Sequence, residues 1–182
     1  MTNPQRVHIL GASGSGVSTL GRGLAERLHI PLLDMDDFFW KETDPPYQEK
    51  NERELRIRKV DGAIQGARDW IMAGSMCGWG DKYIPHFTIV VFVFLAPEIR
   101  IRRLMERERA EFGERIETGG DLYSSHTAFI KWASAYDDGG TAIRSLRQHK
   151  LWLQRVSCPI LRVDSEASCG SLVDQVCEAI GV

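Results

Sequence analysis

Short apolar runs alternate with segments of helical periodicity along the whole chain. Residues 89–95 form the strongest apolar run and show no polar alternation, which is typical of a parallel strand covered by helices on both faces. After the first run, apolar residues recur at helical spacing at Val17, Leu20, Leu24 and Leu28. The predicted strands cover residues 7–10, 30–33, 70–73, 89–95 and 159–163. Strands that alternate with helices predict a parallel sheet with right-handed crossovers, so we expect a three-layer α/β fold.

The long region between the fourth and fifth predicted strands contains a charged helix, then a polar glycine-rich segment, and then two further helices. A charged helix opens at Pro97 and is expected to end at about residue 109. Residues 111–125 are polar, glycine-rich and without periodicity, so we predict a mobile lid at about 110–125. Two helices are expected next. The first has an apolar face that carries Phe129, Trp132, Ala133 and Tyr136, and the second runs from about residue 141 to 155. We therefore predict a single domain over residues 1–182, with a helical insertion to about residue 156.

Composition narrows the choice of partners and of compartment. A formal charge of −2 gives no reason to expect nucleic acid or an anionic membrane as a partner. The longest apolar run is too short to span a bilayer, and the N-terminal apolar stretch is too short for a signal peptide. The four cysteines show no metal-binding or redox spacing, so we predict reduced thiols in a cytoplasmic protein: Cys77, Cys158, Cys169 and Cys177.

A phosphate-binding motif connects the first predicted strand to the first helix. It places glycine at both ends of a six-residue stretch and Ser-Thr two residues later, and it comprises Gly11, Ala12, Ser13, Gly14, Ser15, Gly16, Val17, Ser18 and Thr19. Backbone N–H groups of such a loop converge on phosphate oxygens at the positive end of a helix. We expect ATP here, with Mg²⁺ bound by the Ser18 hydroxyl. Val17 departs from the pattern, because a lysine normally stands there and contacts the β- and γ-phosphates.

Two other interpretations of this loop were open. A glycine-rich turn can simply pack a helix onto a strand. A dinucleotide-binding turn is the second alternative, since Asp34 lies about where a ribose-binding acid would fall. Against it, Thr19 stands where a third glycine should be, and the chain lacks the Tyr-x-x-x-Lys pair of short-chain dehydrogenases.

The phosphate loop, the Leu33-Asp34-x-Asp36 stretch, the Gly74-Ser75 pair and the arginine-rich helix after the fourth strand resemble the adenylate kinase and shikimate kinase group. The topology modulation proteins share this layout. The resemblance implies a P-loop NTPase fold, with five parallel strands in the order 2-3-1-4-5, ATP on the phosphate loop and a closing lid. It also implies a monomer or a small homo-oligomer.

The same resemblance assigns roles to residues at the ends of the second and third strands. Asp34 would hold the Mg²⁺ shell through water, and Asp36 would orient the acceptor hydroxyl or take its proton. A polar turn with a helix cap, supplied by Asp36 or Asp37, is the structural alternative. The expected acceptor-binding residues are Asp36, Trp40, Gly74, Ser75 and Trp79.

Arginines of the charged helix and the lid are the candidates for stabilising the transferring phosphate, as in related kinases. They are Arg107, Arg109, Arg115 and Arg144, with Arg103 behind them. A solvated helix face with i,i+4 ion pairs is the structural alternative. For His126 and His149 we expect surface or capping roles.

Three functions follow from these observations. The first is an ATP- and Mg²⁺-dependent phosphotransferase that acts on a nucleotide or another small hydroxyl-bearing molecule. The second is a nucleotide-binding regulatory protein with little or no transfer activity, which the loss of the lysine at Val17 favours. The third is an NAD(P)-dependent oxidoreductase.

Overall fold

A computed structural model describes residues 3–182, and it contains one five-stranded parallel sheet in the order β2-β3-β1-β4-β5. The strands are β1 Arg6–Gly11, β2 Leu32–Asp34, β3 Trp70–Ala73, β4 Ile89–Phe94 and β5 Ile160–Asp164. The predicted sheet and the strand order implied by the resemblance are therefore confirmed. The predicted domain began at residue 1, and Met1 and Thr2 lie outside the described residues.

Seven α-helices within residues 3–182 surround this sheet. They are α1 Val17–Leu28, α2 Met35–Phe39, α3 Arg53–Ile64, α4 Pro97–Phe112, α5 Tyr123–Ser134, α6 Leu146–Leu153 and α7 Cys169–Ile180. Short 3₁₀ helices cover Asp81–His86 and Gly113–Ile116. None of the helices in this part of the chain combines the length and the apolar character that crossing a membrane requires.

The core has two halves because successive strand residues point to opposite faces of the sheet. On one face, Val7 and Ile9 of β1 pack with buried residues of α1 and α7. On the other face, Leu10 packs with buried residues of α3, of the Asp81–His86 turn and of α6. Helices thus cover both faces of the sheet, as the uninterrupted apolar pattern of β4 predicts.

The segment after β4 is more regular than its glycine content indicates. Helix α4 continues to Phe112, where Gly113 takes a φ of 56° that other residues rarely adopt. The helix predicted from about residue 141 begins only at Leu146, so that prediction was wrong by about a turn. Ser145 sets the start, because its hydroxyl accepts a hydrogen bond from the amide of Gln148 over 3.0 Å.

Candidate functional site

The phosphate loop joins β1 to α1 at the carboxyl edge of the sheet. Gly14 and Gly16 take φ values of 79° and 90°, a region that favours glycine. At Gly14 a Cβ atom would also come within 2.8 Å of the Arg100 carbonyl oxygen, so only glycine lets the loop approach α4 this closely. The Ser15 hydroxyl donates to the Ala12 carbonyl oxygen over 2.7 Å and holds the loop from inside.

Helix α1 presents its N-terminus to this loop. The first amide groups of an α-helix have no carbonyl partner within the helix, and no side chain of the described residues caps this one. Ser18 lies in the first turn and Thr19 is exposed beside it. This end of α1 therefore offers unpaired N–H groups, a positive dipole end and hydroxyl groups, which together suit an anion.

Val17 is the first residue of α1 and packs against the apolar cluster beneath that helix. Its Cγ2 atom lies above Gly11, where an added Cβ would meet it at 3.2 Å. The side chain therefore takes part in packing at the base of the loop. A cation for the phosphates has to come from another residue.

Asp34 ends β2 and forms the N-cap of α2. Its Oδ1 atom accepts a hydrogen bond from the Asp36 amide over 3.1 Å, and its Oδ2 atom makes none within residues 3–182. The alternative interpretation of this segment assigned the cap to Asp36 or Asp37, and that assignment was wrong. Instead, both side chains are exposed in the first turn of α2, at the edge where the phosphate loop lies.

Charges from distant parts of the chain act on Asp36, although its side chain is exposed. Neighbouring protein atoms displace part of the water around its carboxyl group, which disfavours the charged form and raises its pKa above the ordinary value. The positive charge of Arg144 opposes this rise most strongly, Asp34 and Asp37 reinforce it, and Arg107 also opposes it. The fold therefore brings both arginines towards the carboxylate that sequence reasoning assigned to the acceptor.

Arg144 is a half-buried cation with no ion-pair partner in the described part of the chain. Its guanidinium carbon lies 5.5 Å from the ring centroid of Trp132, which supports the side chain. Arg107 is exposed, and its only close ionic contact within residues 3–182 is a 3.4 Å approach to Glu108. Both guanidinium groups therefore remain available to an anion.

The other two candidate arginines are engaged within the lid. Arg109 contacts Glu117 at 2.6 Å, and Arg115 contacts Asp121 at 2.8 Å. Both pairs are exposed, so solvent screens them strongly. They nonetheless direct both guanidinium groups to carboxylates of the lid segment, whereas the charges of Arg107 and Arg144 act on Asp36.

The turn after β3 carries three of the five predicted acceptor-binding residues, Gly74, Ser75 and Trp79. Gly74 takes a φ of 119°, and a Cβ there would lie 2.9 Å from the Met35 Cβ. Ser75 is buried next to it, and its carbonyl oxygen accepts a hydrogen bond of 3.2 Å from the Trp79 indole. Trp79 is only 4% exposed, so it forms the floor of this region and offers little open ring surface.

Aromatic and cationic side chains surround the end of α2, the helix that carries Asp36. Trp40 is half-buried and contacts Tyr47 edge to face, with 5.9 Å between ring centroids. The Arg56 guanidinium lies over the Phe39 ring at 3.9 Å and donates to a backbone oxygen. Sequence reasoning missed Tyr47 and Arg56, because neither belongs to a motif and only the fold brings them to the site.

The expectation of a surface or capping role for His149 was wrong. His149 is fully buried, between Ser75 and Tyr136. A signal was present, since His149 shares the apolar face of α6 with Leu146, Trp152 and Leu153 at helical spacing. His126 is half-buried, and its Nδ1 atom lies 3.5 Å from a Glu108 carboxylate oxygen.

The sheet order, the phosphate loop and the acidic end of β2 define a class, the kinases with a P-loop NTPase fold. Residues 7–118 match the family described as AAA domain. The uncharacterized protein YqaC of Bacillus subtilis is 38% identical over 172 residues, which cover 94% of this chain and 95% of that protein. The chain belongs to this AAA domain family and, through it, to the P-loop small-molecule kinases.

Named kinases are more distant relatives. The cytidylate kinase of Archaeoglobus fulgidus is 25% identical over 114 residues, which cover 57% of this chain and 62% of that kinase. The crystal structure of shikimate kinase from Bacteroides thetaiotaomicron superposes with a TM-score of 0.59 at 21% identity, over 98% of this chain and 99% of that one. At this identity the structural likeness shows the fold alone. At family level the relatives support a nucleotide-binding phosphotransferase, which favours the phosphate-loop interpretation over the dinucleotide-binding one.

Proposed function

We propose that this protein is an ATP- and Mg²⁺-dependent phosphotransferase that transfers the γ-phosphoryl group to a hydroxyl of a nucleotide or another small molecule. The observation that carries the proposal is that the phosphate loop and the Asp34–Asp36 end of β2 lie at the same carboxyl edge of the sheet, where the charges of Arg144 and Arg107 act on Asp36. Phosphoryl transfer needs a donor cradle, a group that orients the attacking hydroxyl and cations for the developing charge. The phosphate loop, Asp36 and the two arginines are our candidates for these three roles.

The donor would bind to the loop from Gly11 to Thr19 through its backbone N–H groups. Ser18 and the free Oδ2 atom of Asp34 offer hydroxyl and carboxylate oxygens, the ligand types that Mg²⁺ prefers. Mg²⁺, when bound with ATP, neutralises charge on the phosphates. By the same resemblance to small-molecule kinases, Asp34 would act on the metal through water, with Oδ2 as the available atom because Oδ1 serves as a helix cap.

The acceptor would lie between Asp36 and the turn after β3. Asp36 would accept the hydrogen of the attacking hydroxyl and orient its oxygen. Gly74 allows close approach to the backbone, Ser75 offers a hydroxyl, and Trp40 offers a half-buried ring. Trp79 would contribute mainly as the support beneath Ser75.

Two arginines would supply the cation that Val17 does not. Arg107 precedes the lid segment in the sequence and Arg144 follows it, and the charges of both act on Asp36. Neither is held by a close ion pair like those of Arg109 and Arg115. Arg109 and Arg115 would join only if the lid rearranges and their carboxylate partners are released.

The test is a screen of nucleoside monophosphates, hydroxy acids and sugar acids with ATP labelled at the γ-phosphate. Wild-type protein is expected to label at least one acceptor, and Asp36→Asn is expected to abolish that labelling without weakening ATP binding. Transfer that persists in Asp36→Asn would refute the role of this carboxylate. Calorimetry with ATP·Mg²⁺ and with NAD(H) tests the ligand class, because NAD(H) binding without ATP binding would refute a kinase.

The regulatory alternative is favoured by one specific observation, the packing of Val17 against the core instead of a phosphate-binding lysine. The Val17→Lys variant separates the two functions. If both wild type and this variant bind ATP and neither labels any acceptor, the protein is a nucleotide sensor.

Three further properties remain part of the proposal. We expect one folding unit, a monomer or small homo-oligomer, and a cytoplasmic location. A single cooperative unfolding transition and the mass from light scattering test the first two. Fractionation of the native host's cells tests the third.

A further inference from the structure

A buried chain of hydrogen bonds lies behind the proposed acceptor site. The Tyr136 hydroxyl lies 2.9 Å from His149 Nδ1, and His149 Nε2 lies 3.1 Å from Ser75 Oγ. Tyr136 is 5% exposed and His149 is 0% exposed, so these groups depend on one another for hydrogen bonds. The proposed transfer mechanism uses neither Tyr136 nor His149. We call these three residues the Tyr136–His149–Ser75 chain.

The imidazole in this chain is neutral at physiological pH. Burial lowers the pKa of His149 to about 3, and the positive charge of Arg144 acts in the same direction, as does His8 once acid protonates it. A neutral imidazole has one N–H donor and one acceptor nitrogen. The chain can therefore run in two directions, and the direction decides whether Ser75 accepts from His149 or donates to it.

The phenolic hydrogen of Tyr136 distinguishes the two directions. If Nδ1–H donated to the Tyr136 oxygen, the buried phenolic hydrogen would need another acceptor, and the described residues provide none. In the opposite direction, Tyr136 donates to Nδ1 and Nε2–H donates to Ser75 Oγ. Each buried hydrogen then has an acceptor, so no buried polar group is left unpaired.

This direction leaves the Ser75 hydrogen free to point away from His149. Within the protein, this hydrogen is donated to the thiol of Cys77. Burial raises the pKa of Cys77 to about 11, and the hydrogen bond from Ser75 acts in the opposite direction. Cys77 is a weak hydrogen-bond acceptor, so an oxygen atom of a ligand would compete well for this hydrogen. Arg144 faces the same region, since its charge acts on both Cys77 and Tyr136.

We propose, building on the proposed function, that His149 is a positioning residue which fixes Ser75 as a hydrogen-bond donor to the phosphate acceptor. The acceptor would then present an oxygen lone pair to Ser75, and the charge of Arg144 favours an anionic oxygen such as that of a carboxylate or a phosphate. Tyr136 sets the direction by occupying Nδ1.

The tautomer of His149 tests this directly and needs no acceptor. Full-length protein labelled with ¹⁵N-histidine is examined by long-range ¹H–¹⁵N correlation between pH 5 and 8, and His149→Gln identifies the signals. We expect a neutral ring with the hydrogen on Nε2. A wild-type ring that is protonated on Nδ1 would overturn the proposal.

A kinetic assay of phosphate transfer tests the role of His149. It uses labelled ATP and pairs of small alcohols that carry either a carboxylate or an ammonium group. His149→Gln keeps an N–H near the Nε2 position, whereas His149→Leu has no donor. We expect the leucine variant to raise KM for the carboxylate alcohol by about tenfold or more with little change in kcat, and the glutamine variant to remain close to wild type. A preference for the ammonium alcohols would contradict the proposal.

Ser75→Ala covers the case in which His149→Leu does not fold, as judged by circular dichroism. It should show the same rise in KM, and an unchanged KM would overturn the inference. If wild type transfers phosphate to no alcohol at all, the proposed function fails, and the tautomer still decides the direction of the Tyr136–His149–Ser75 chain.

Discussion

The Ser165 hydroxyl donates a hydrogen bond of 2.6 Å to the carbonyl oxygen of Ser15, although 150 residues separate them along the chain. Ser15 is the buried residue at the centre of the phosphate loop, and Ser165 directly follows β5. The contact fixes the loop from its outer side, while the Ser15 hydroxyl fixes it from within. The loop conformation therefore depends on the last crossover of the sheet.

Replacing Ser165 with alanine should loosen the phosphate loop. The Ser15 carbonyl would lose its partner in a buried position, so we expect a loss of about 1–2 kcal/mol in the free energy of unfolding. ATP affinity should fall as well, because the loop would no longer be held in its binding conformation. Urea titration and calorimetry measure the two effects, with exposed Ser157→Ala as the matched control. Equal ATP affinity in both variants would show that the contact does not organise the loop.

The four candidate arginines should differ in importance. Arg107→Gln and Arg144→Gln each remove a charge that acts on Asp36, so we expect kcat to fall by about 10²- to 10³-fold. Arg109→Gln removes only a lid ion pair with Glu117 and should change kcat by less than about threefold. Single-turnover transfer of labelled phosphate provides the comparison. The opposite ranking would mean that the lid rearranges in the complex and that Arg109 moves to the phosphates.

Local patterns predicted the sheet and the phosphate loop well. Residues 70–73 were predicted as a strand, and β3 is Trp70–Ala73, because an apolar run closed by glycine defines its own ends. The glycines of the loop were recognisable since their positive φ values follow from local geometry. The start of α6 was missed because the Ser145 cap, five residues into the predicted helix, was not distinguished from a helical residue.

The composition of the site was less predictable, since its members come from distant segments. Arg107 and Arg144 were two among several arginines until the fold placed them near Asp36. The partner of His149 is Ser75, 74 residues earlier, and no spacing rule links them. Trp79 was expected to bind the acceptor, and its burial under Ser75 depends on packing that a single sequence does not encode locally.

The pH dependence of transfer should reflect the unusual environment of Asp36. As a base it works only when ionised, and desolvation raises its pKa above that of an ordinary aspartate. Activity should therefore decline as the pH falls through this raised value, at a higher pH than a solvated aspartate would give. The acidic limb of kcat/KM reports the group in the free enzyme. In Arg144→Lys the positive charge is kept, so the limb should stay in place, whereas in Arg144→Gln it should move to higher pH. An acidic limb that does not move in Arg144→Gln would assign it to another group.

Acid should destabilise the fold through two buried histidines. Burial lowers the pKa of His8 to about 4 and that of His149 to about 3, from an ordinary value of 6.5. Because the unfolded chain binds protons at higher pH than the folded one, stability is fully present above about pH 6.5 and is lost as the pH falls towards these values. Between pH 7 and 5, each histidine should account for up to about 2 kcal/mol of lost stability.

His8→Phe separates this effect from the acid titration of carboxylates. His8 stacks on Phe87 with 4.8 Å between ring centroids, so an aromatic ring without a titrating group suits the site. The variant forfeits the hydrogen bond between Nδ1 and the Met72 carbonyl oxygen, which lowers stability at every pH. The change in its free energy of unfolding between pH 7 and 5 should nevertheless be smaller than that of wild type by up to about 2 kcal/mol.

Carboxylates such as Asp81, whose pKa is lowered by its hydrogen bonds to Arg155 and Trp152, titrate below this window and leave the comparison intact. Urea titrations of both proteins at the two pH values decide the matter, since parallel losses would show that His8 does not titrate on unfolding in this range.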